Sequence, residues 1–116
     1  AFAPVARQSH ADTVKIYYCI MQNFVGALAD KRMNYQKTRF TMRLERDTSD
    51  SDYGTAIFSD GHPGYGDVRL RGFSYGWLHN LDGLPSFTFY PNEGQLYHAW
   101  SAPDRAAAYA AMCEKF

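Results

Sequence analysis

The sequence predicts an α+β domain in which one early helix packs on an antiparallel sheet, and three observations carry that expectation. Apolar residues alternate with polar ones in several short runs, as in strands that bury one face. Between the first two of these runs, Met21, Phe24, Val25 and Leu28 fall at i, i+3, i+4 and i+7, the spacing of a helix with one apolar face. Near the end, Ser86 to Tyr90 and Gln95 to Trp100 flank Pro91-Asn92-Glu93-Gly94, which reads as a hairpin with Gly94 at a positive-φ position.

In chain order, residues 1–12 carry Pro4 and no periodicity, and are expected to form a flexible arm ahead of a single domain over 13–116. The chain starts at Ala1 rather than Met, as the processed product of a longer precursor would. The first strand is expected from Val14, with Val14, Ile16, Tyr18 and Ile20 on the face opposite Lys15, Tyr17 and Cys19. Asn23 then caps a helix of about ten residues that ends at Asn34 and Tyr35. From Lys37 to Arg46 the period returns to two, with Thr38, Phe40, Met42 and Leu44 on the inner face. A short strand follows at Tyr53 to Phe58, and the Gly- and Pro-rich stretch from Ser59 to Gly66 breaks the pattern. Asp67 to Phe73 alternates again, with Val68, Leu70 and Gly72 on one side. The Ala-rich run from Pro103 to Cys113 has a Ser cap, and Pro and Asp in its first turn, as a short final helix would.

Composition restricts the function classes. The chain has 116 residues, 46% of them hydrophobic and 21% charged, which is a globular balance and excludes a disordered tail or a coiled coil. Twelve basic and twelve acidic side chains cancel, so no global field draws it to nucleic acid. No window approaches the length of apolar chain a membrane span needs, so membrane insertion is not expected. Cys19 and Cys113 have no spacing suited to zinc. They are either two buried thiols or one disulfide, and the disulfide is favoured because so long a closure would stabilise a small domain by about 4–5 kcal/mol.

Charge is unevenly distributed. Lys31, Arg32, Lys37, Arg39, Arg43 and Arg46 hold half of the basic residues, and Asp47, Asp50, Asp52, Asp60 and Asp67 follow. The basic stretch is a candidate phosphate-contacting edge, with Tyr35 and Phe40 available for base stacking, or simply a solvated strand face. Four histidines are present, and only His98 lies on a well-defined strand, sharing a face with Leu96 and Trp100. No nucleophile elbow, P-loop, dinucleotide fingerprint or zinc-protease motif occurs, and no cofactor or metal is expected. Exposed loop aromatics suit a protein interface, and Tyr65, Tyr75, Trp77 and His79 are the candidates.

Tyr17-Tyr18-Cys19, the following apolar run, the terminal hairpin and Cys113 occur in an order that resembles the secreted fungal guanyl-specific ribonucleases. It is closer still to the ribonuclease-like effectors of powdery mildew fungi, whose mature forms carry a Tyr-x-Cys motif near the start and a second Cys near the end. The resemblance implies a ribonuclease-like α+β fold stapled by Cys19 and Cys113, with Tyr17 and Cys19 as the family motif. It places the former active site at Tyr35, Lys37, Arg69, Ser86 and Ala102, where only the Tyr keeps the residue type of the enzymes. A chain lacking the base, the acid and the charge-stabilising Arg is expected to cleave little RNA, because losing one proton-transfer group alone typically costs about 10²–10⁴ in rate.

The function implied is that of a pseudoenzyme: a secreted virulence effector or avirulence protein, translocated into the host plant cell. There it binds a host protein or RNA, and an intracellular immune receptor recognises it. A monomer is expected. Lys37, Arg39, Arg43, Tyr65, Tyr75, Trp77 and His79 are its candidate binding residues. The alternatives are an active ribonuclease with a rearranged site built on His98 and Glu93, and a non-cleaving RNA-binding protein using the basic stretch.

Overall fold

A computed structural model describes residues 13–28, 30–59, 62, 67–81 and 86–116; the arm over 1–12 and Tyr65 lie outside the described residues. The regular structure of the described residues is strand: β1 (Val14–Leu28), β2 (Lys31–Asn34), β3 (Arg39–Arg46), β4 (Tyr53–Phe58), β5 (Val68–Arg71), β6 (Leu78–Asn80), β7 (Ser86–Tyr90), β8 (Gln95–Ala102) and β9 (Arg105–Lys115). From β3 onward each strand pairs antiparallel with the next, and β9 pairs back onto β1, which also pairs with β3. The result is a closed eight-stranded antiparallel barrel, with β2 folded as a hairpin onto the far end of β1. Closure leaves the barrel strands no free edge, and at eight strands the lumen is just wide enough for side chains to fill it.

The expected α+β fold is therefore incorrect, and with it the ribonuclease-like architecture. No helix packs on a sheet among the described residues. Met21 and Phe24 both point inward, but on a strand, because the β1–β9 register shifts between Met21 and Asn23 and leaves Gln22 as an extra residue. A β-bulge of this kind turns the two-residue spacing of inward positions into three, which imitates a helical repeat in sequence. Val25 faces outward and Phe24 inward, so the apolar i, i+3, i+4 set covers both faces of a strand rather than one face of a helix.

The final Ala-rich run is also strand. Ala107, Tyr109, Ala111 and Cys113 face inward and Ala106, Ala108 and Met112 outward, with β8 on one side and β1 on the other. Two flanking ladders of backbone hydrogen bonds override the helical preference of alanine, which is the strongest of any residue but amounts to only about a few tenths of a kcal/mol per position. Its small side chains also leave room for bulky neighbours, since Ala107 lies between Gly26 and Trp100, and Ala111 between Met21 and Leu96.

The remaining strands match their alternation. Phe40, Met42 and Leu44 are buried on β3, and Val68 and Leu70 on β5. The terminal hairpin forms with Gly94 at φ 72°. Phe87, Phe89, Leu96, Leu70 and Met42 fill the centre with no exposure, each large side chain contributing about 1.5–3 kcal/mol by leaving water. Cys19 and Cys113 are direct partners across the β1–β9 seam, with Cα atoms 4.0 Å apart, and form a disulfide over a sequence separation of 94. That bond is compatible with an extracellular protein.

The structure decides which face of β1 lies inside. Tyr17, Cys19 and Met21 are inside, and Ile16, Tyr18 and Ile20 are exposed, with Phe116 stacked on Tyr18. No helix of the described residues is long and apolar enough to cross a membrane.

Candidate binding surface

Two sites invite a chemical reading, one inside the barrel and one on its outer wall. The inner one is a group of rings at one end of the lumen. His98 on β8 and Tyr109 on β9 are cross-strand partners, so their side chains enter side by side. The Tyr109 hydroxyl lies 3.1 Å from Nδ1 of His98 and 2.7 Å from Nε2 of His62. His62 stacks on Phe58 with centroids 3.9 Å apart, and Trp100 and Phe40 complete the enclosure. The set is satisfied when His98 Nδ1–H donates to Tyr109 Oη and the Tyr109 O–H donates to His62. His98 Nε2, the other nitrogen of a neutral ring, has no hydrogen-bond partner among the described residues.

Burial and, secondarily, the neighbouring His62 push the His98 pKa down to about 3, while burial pushes the Tyr109 hydroxyl up. Both shifts oppose proton exchange by these two groups near neutral pH. Among the described residues, no cluster of His, Cys, Asp or Glu could hold a metal ion.

The buried neutral imidazole has a consequence for stability. His98 takes up a proton in the unfolded chain near its ordinary value of 6.5 but resists it in the folded one. Its contribution to stability is therefore complete above pH 6.5 and is lost as pH falls toward 3, at up to about 1.4 kcal/mol per pH unit. Urea unfolding across that window is expected to show this slope in the wild-type chain. His98→Gln should be flatter by about one proton, and equal slopes would contradict the burial of a neutral ring.

The outer site is a band of aromatics on the wall from β4 to β8. The register places Tyr53 opposite Arg71, Arg71 opposite His79, His79 opposite Thr88 and Thr88 opposite Tyr97, which makes one cross-strand row. A second row runs beside it: Trp77 stacks parallel to Tyr90 at 6.2 Å, Tyr90 pairs with Gln95, Gln95 with Met112 and Met112 with Ile20. Trp77 also lies 5.2 Å from His79 and so joins the two rows. Tyr75, in the turn before β6, is 77% exposed, and Trp77 is 47% exposed. The turn is set by Gly72, whose carbonyl accepts the N–H groups of Tyr75 and Gly76.

Of the binding residues expected from sequence, Tyr75, Trp77 and His79 come together here. Lys37, Arg39 and Arg43 do not: Lys37 lies in the segment before β3, Arg39 and Arg43 face outward on β3, and Arg43 is paired to Glu45 at 2.7 Å. Phe40 is buried and Tyr35 packs on Phe24 at 4.8 Å, so neither offers a free face to a base.

The five positions matched to a former active site are dispersed. Tyr35 packs against the inward-facing Phe24, whereas Arg69 points outward and binds both oxygens of Asp47, whose carboxyl this holds below its usual range. Lys37 is exposed in its own segment, Ser86 is exposed at the start of β7, and Ala102 ends β8. Tyr17 of the family motif packs edge-on against Phe89 inside the barrel. Tyr53, Tyr90 and Tyr97 were not among the candidates, although Tyr90 and Tyr97 alternate with the inward Phe89, Leu96 and His98, a signal available in sequence.

Fold and surface together define a small closed antiparallel barrel with a filled, disulfide-linked interior and an aromatic outer wall. No protein-family model, curated protein or solved structure matches the chain.

Proposed function

We propose that this chain is a secreted, non-enzymatic binding protein that engages a protein partner through the outer wall around Trp77. The role is compatible with a virulence effector or avirulence protein recognised inside a host plant cell, but it no longer rests on a ribonuclease scaffold. The observation that carries it is the outward-facing band of exposed Tyr53, Arg71, Tyr75, Trp77, Tyr90 and Tyr97 around the half-buried His79. Exposed apolar patches of this kind mark interaction sites, and Trp, Tyr and Arg concentrate binding energy: Trp and Tyr bury much area with few rotatable bonds, and Arg adds a planar fork of hydrogen-bond donors. Between β4 and β9 Arg71 is the one Arg or Lys in the two rows, which favours a protein over a polyanion.

The test is affinity capture from plant-cell extract, followed by direct titration of the purified partner. Trp77→Ala is expected to weaken binding about 30-fold while leaving the thermal midpoint close to that of wild type. Arg39→Ala, on β3, should leave it unchanged. Labelled RNA should stay intact in the same preparation. Turnover of that RNA, or a partner indifferent to both Trp77→Ala and Tyr90→Ala, would overturn the reading.

A further inference from the structure

We infer that one mouth of the barrel is a binding site for a small organic anion with an apolar body, such as an aromatic carboxylate. The pocket there has a volume of about 250 Å³ and is lined by Lys15, Tyr17, Leu44, Arg46, Phe73 and Leu78, with Asn92 at its edge. Mouths of β-barrels are common ligand sites, and this one is smaller than the roughly 300–1,000 Å³ of drug-sized pockets, which suits a single ring or a short branched chain.

The register explains how two cations come to stand over an apolar floor. Tyr17, Cys19 and Met21 face inward on β1 and Phe40, Met42 and Leu44 on β3, so Lys15 and Arg46 occupy the next inward-phase positions toward the mouth. Alternation calls for apolar residues there, and two cations converge instead. Leu44 is the direct cross-strand partner of Lys15, which places Arg46 two residues further along the same face. Tyr17, Leu44 and Leu78 are buried beneath them and Phe73 forms a side wall.

Arg46 is already oriented. Its Nε–H donates to the carbonyl of Ser51, and Nη2 lies 3.4 Å from the Ser74 hydroxyl. Among the described residues neither Arg46 nor Lys15 has a carboxylate partner, whereas Arg43, Arg69 and Arg105 each have one. Among the described residues no acidic side chain lines the pocket. Lys15 also borders a neighbouring depression that contains Glu93 and Glu114, so Arg46 is the principal anion contact and Lys15 the second. A guanidinium fixed at the rim of an apolar pocket favours a carboxylate, which it can bind through two parallel N–H groups, over a neutral molecule of the same shape.

The experiment is a titration of the full chain with benzoate, followed by backbone amide NMR, with benzamide as the neutral isostere and benzylamine as the cationic control. Benzoate is expected to perturb the amides of Leu44, Gly76 and Leu78 with saturation, and to bind at least about tenfold more tightly than benzamide, with no binding of benzylamine. Arg46→Gln should remove about tenfold or more of the benzoate affinity and little of the benzamide affinity. Lys15→Gln, at an exposed rim position, should have a smaller effect of the same sign and keeps the test valid should Arg46→Gln disturb the fold. Equal binding of benzoate and benzamide, perturbation confined to other parts of the barrel, no saturable shift at millimolar benzoate, or indifference to both substitutions would each overturn the assignment.

Discussion

Replacing both cysteines, as Cys19→Ala with Cys113→Ala, is expected to lower the stability of the barrel by about 3–5 kcal/mol. The bond joins the first and last strands of the closed sheet across a separation of 94 residues, so it removes a large share of the unfolded chain's freedom. The seam itself keeps its backbone pairing from Tyr17 opposite Lys115 to Leu28 opposite Arg105, and the double variant should therefore fold to the same barrel. At roughly 4–8 °C per kcal/mol for a domain of about this size, the thermal midpoint should fall by more than 10 °C. The denaturant slope should rise as the unlinked chain expands on unfolding. A midpoint shift of a few degrees with an unchanged slope would show that the cross-link constrains the unfolded state far less than its span implies.

The second large effect is expected at Gly72. Its φ is 106°, outside the range that L side chains readily adopt, and an added Cβ would meet the carbonyl oxygen of Trp77. That oxygen is backbone and cannot rotate away. Strain and overpacking together should cost about 3 kcal/mol or more in Gly72→Ala. Because the Gly72 carbonyl anchors the turn carrying Tyr75 and leading into Trp77, the variant should also weaken partner binding at the outer wall. Gly76→Ala is the control. It has φ 76° but open space around the added Cβ, so only the conformational cost of about 1–2 kcal/mol remains. Equal losses from the two substitutions in urea unfolding would contradict the steric account.

Much of the molecule was legible one strand at a time. Phe40, Met42 and Leu44 alternate cleanly against Arg39, Arg43 and Glu45, so β3 and its inner face followed from hydrophobic contrast alone. The hairpin of β7 and β8 followed from the Pro-Asn-Glu-Gly turn. His98 was placed correctly on the face of Leu96 and Trp100, but not in its bond with Tyr109, because cross-strand partnership depends on a register no local pattern reveals. The outer wall was half visible: Tyr75, Trp77 and His79 are neighbours in sequence, while Tyr53, Tyr90 and Tyr97 join them only through four successive strand pairings. The mouth pocket was hidden, since Lys15 and Arg46 read as ordinary polar positions until closure turns their faces inward.

By itself the sequence determined that a chain rich in alternating strands would form a globular core, and it favoured a link between two distant cysteines. Which face of β1 lies inside was decided by tertiary structure, because Ile16, Tyr18 and Ile20 are as apolar as Tyr17, Cys19 and Met21 and alternation has no sign when both faces are hydrophobic. Closure supplied it: Cys19 and Cys113 meet across the β1–β9 seam with both side chains buried in the lumen, and every second residue of β1 follows. The bulge at Gln22 and the strand conformation of the final alanines have the same origin. Local propensity is a small energy per residue in both segments, even for the alanines, and the ladders on either side of β1 and β9 are worth more than the helical turns those residues could otherwise have formed.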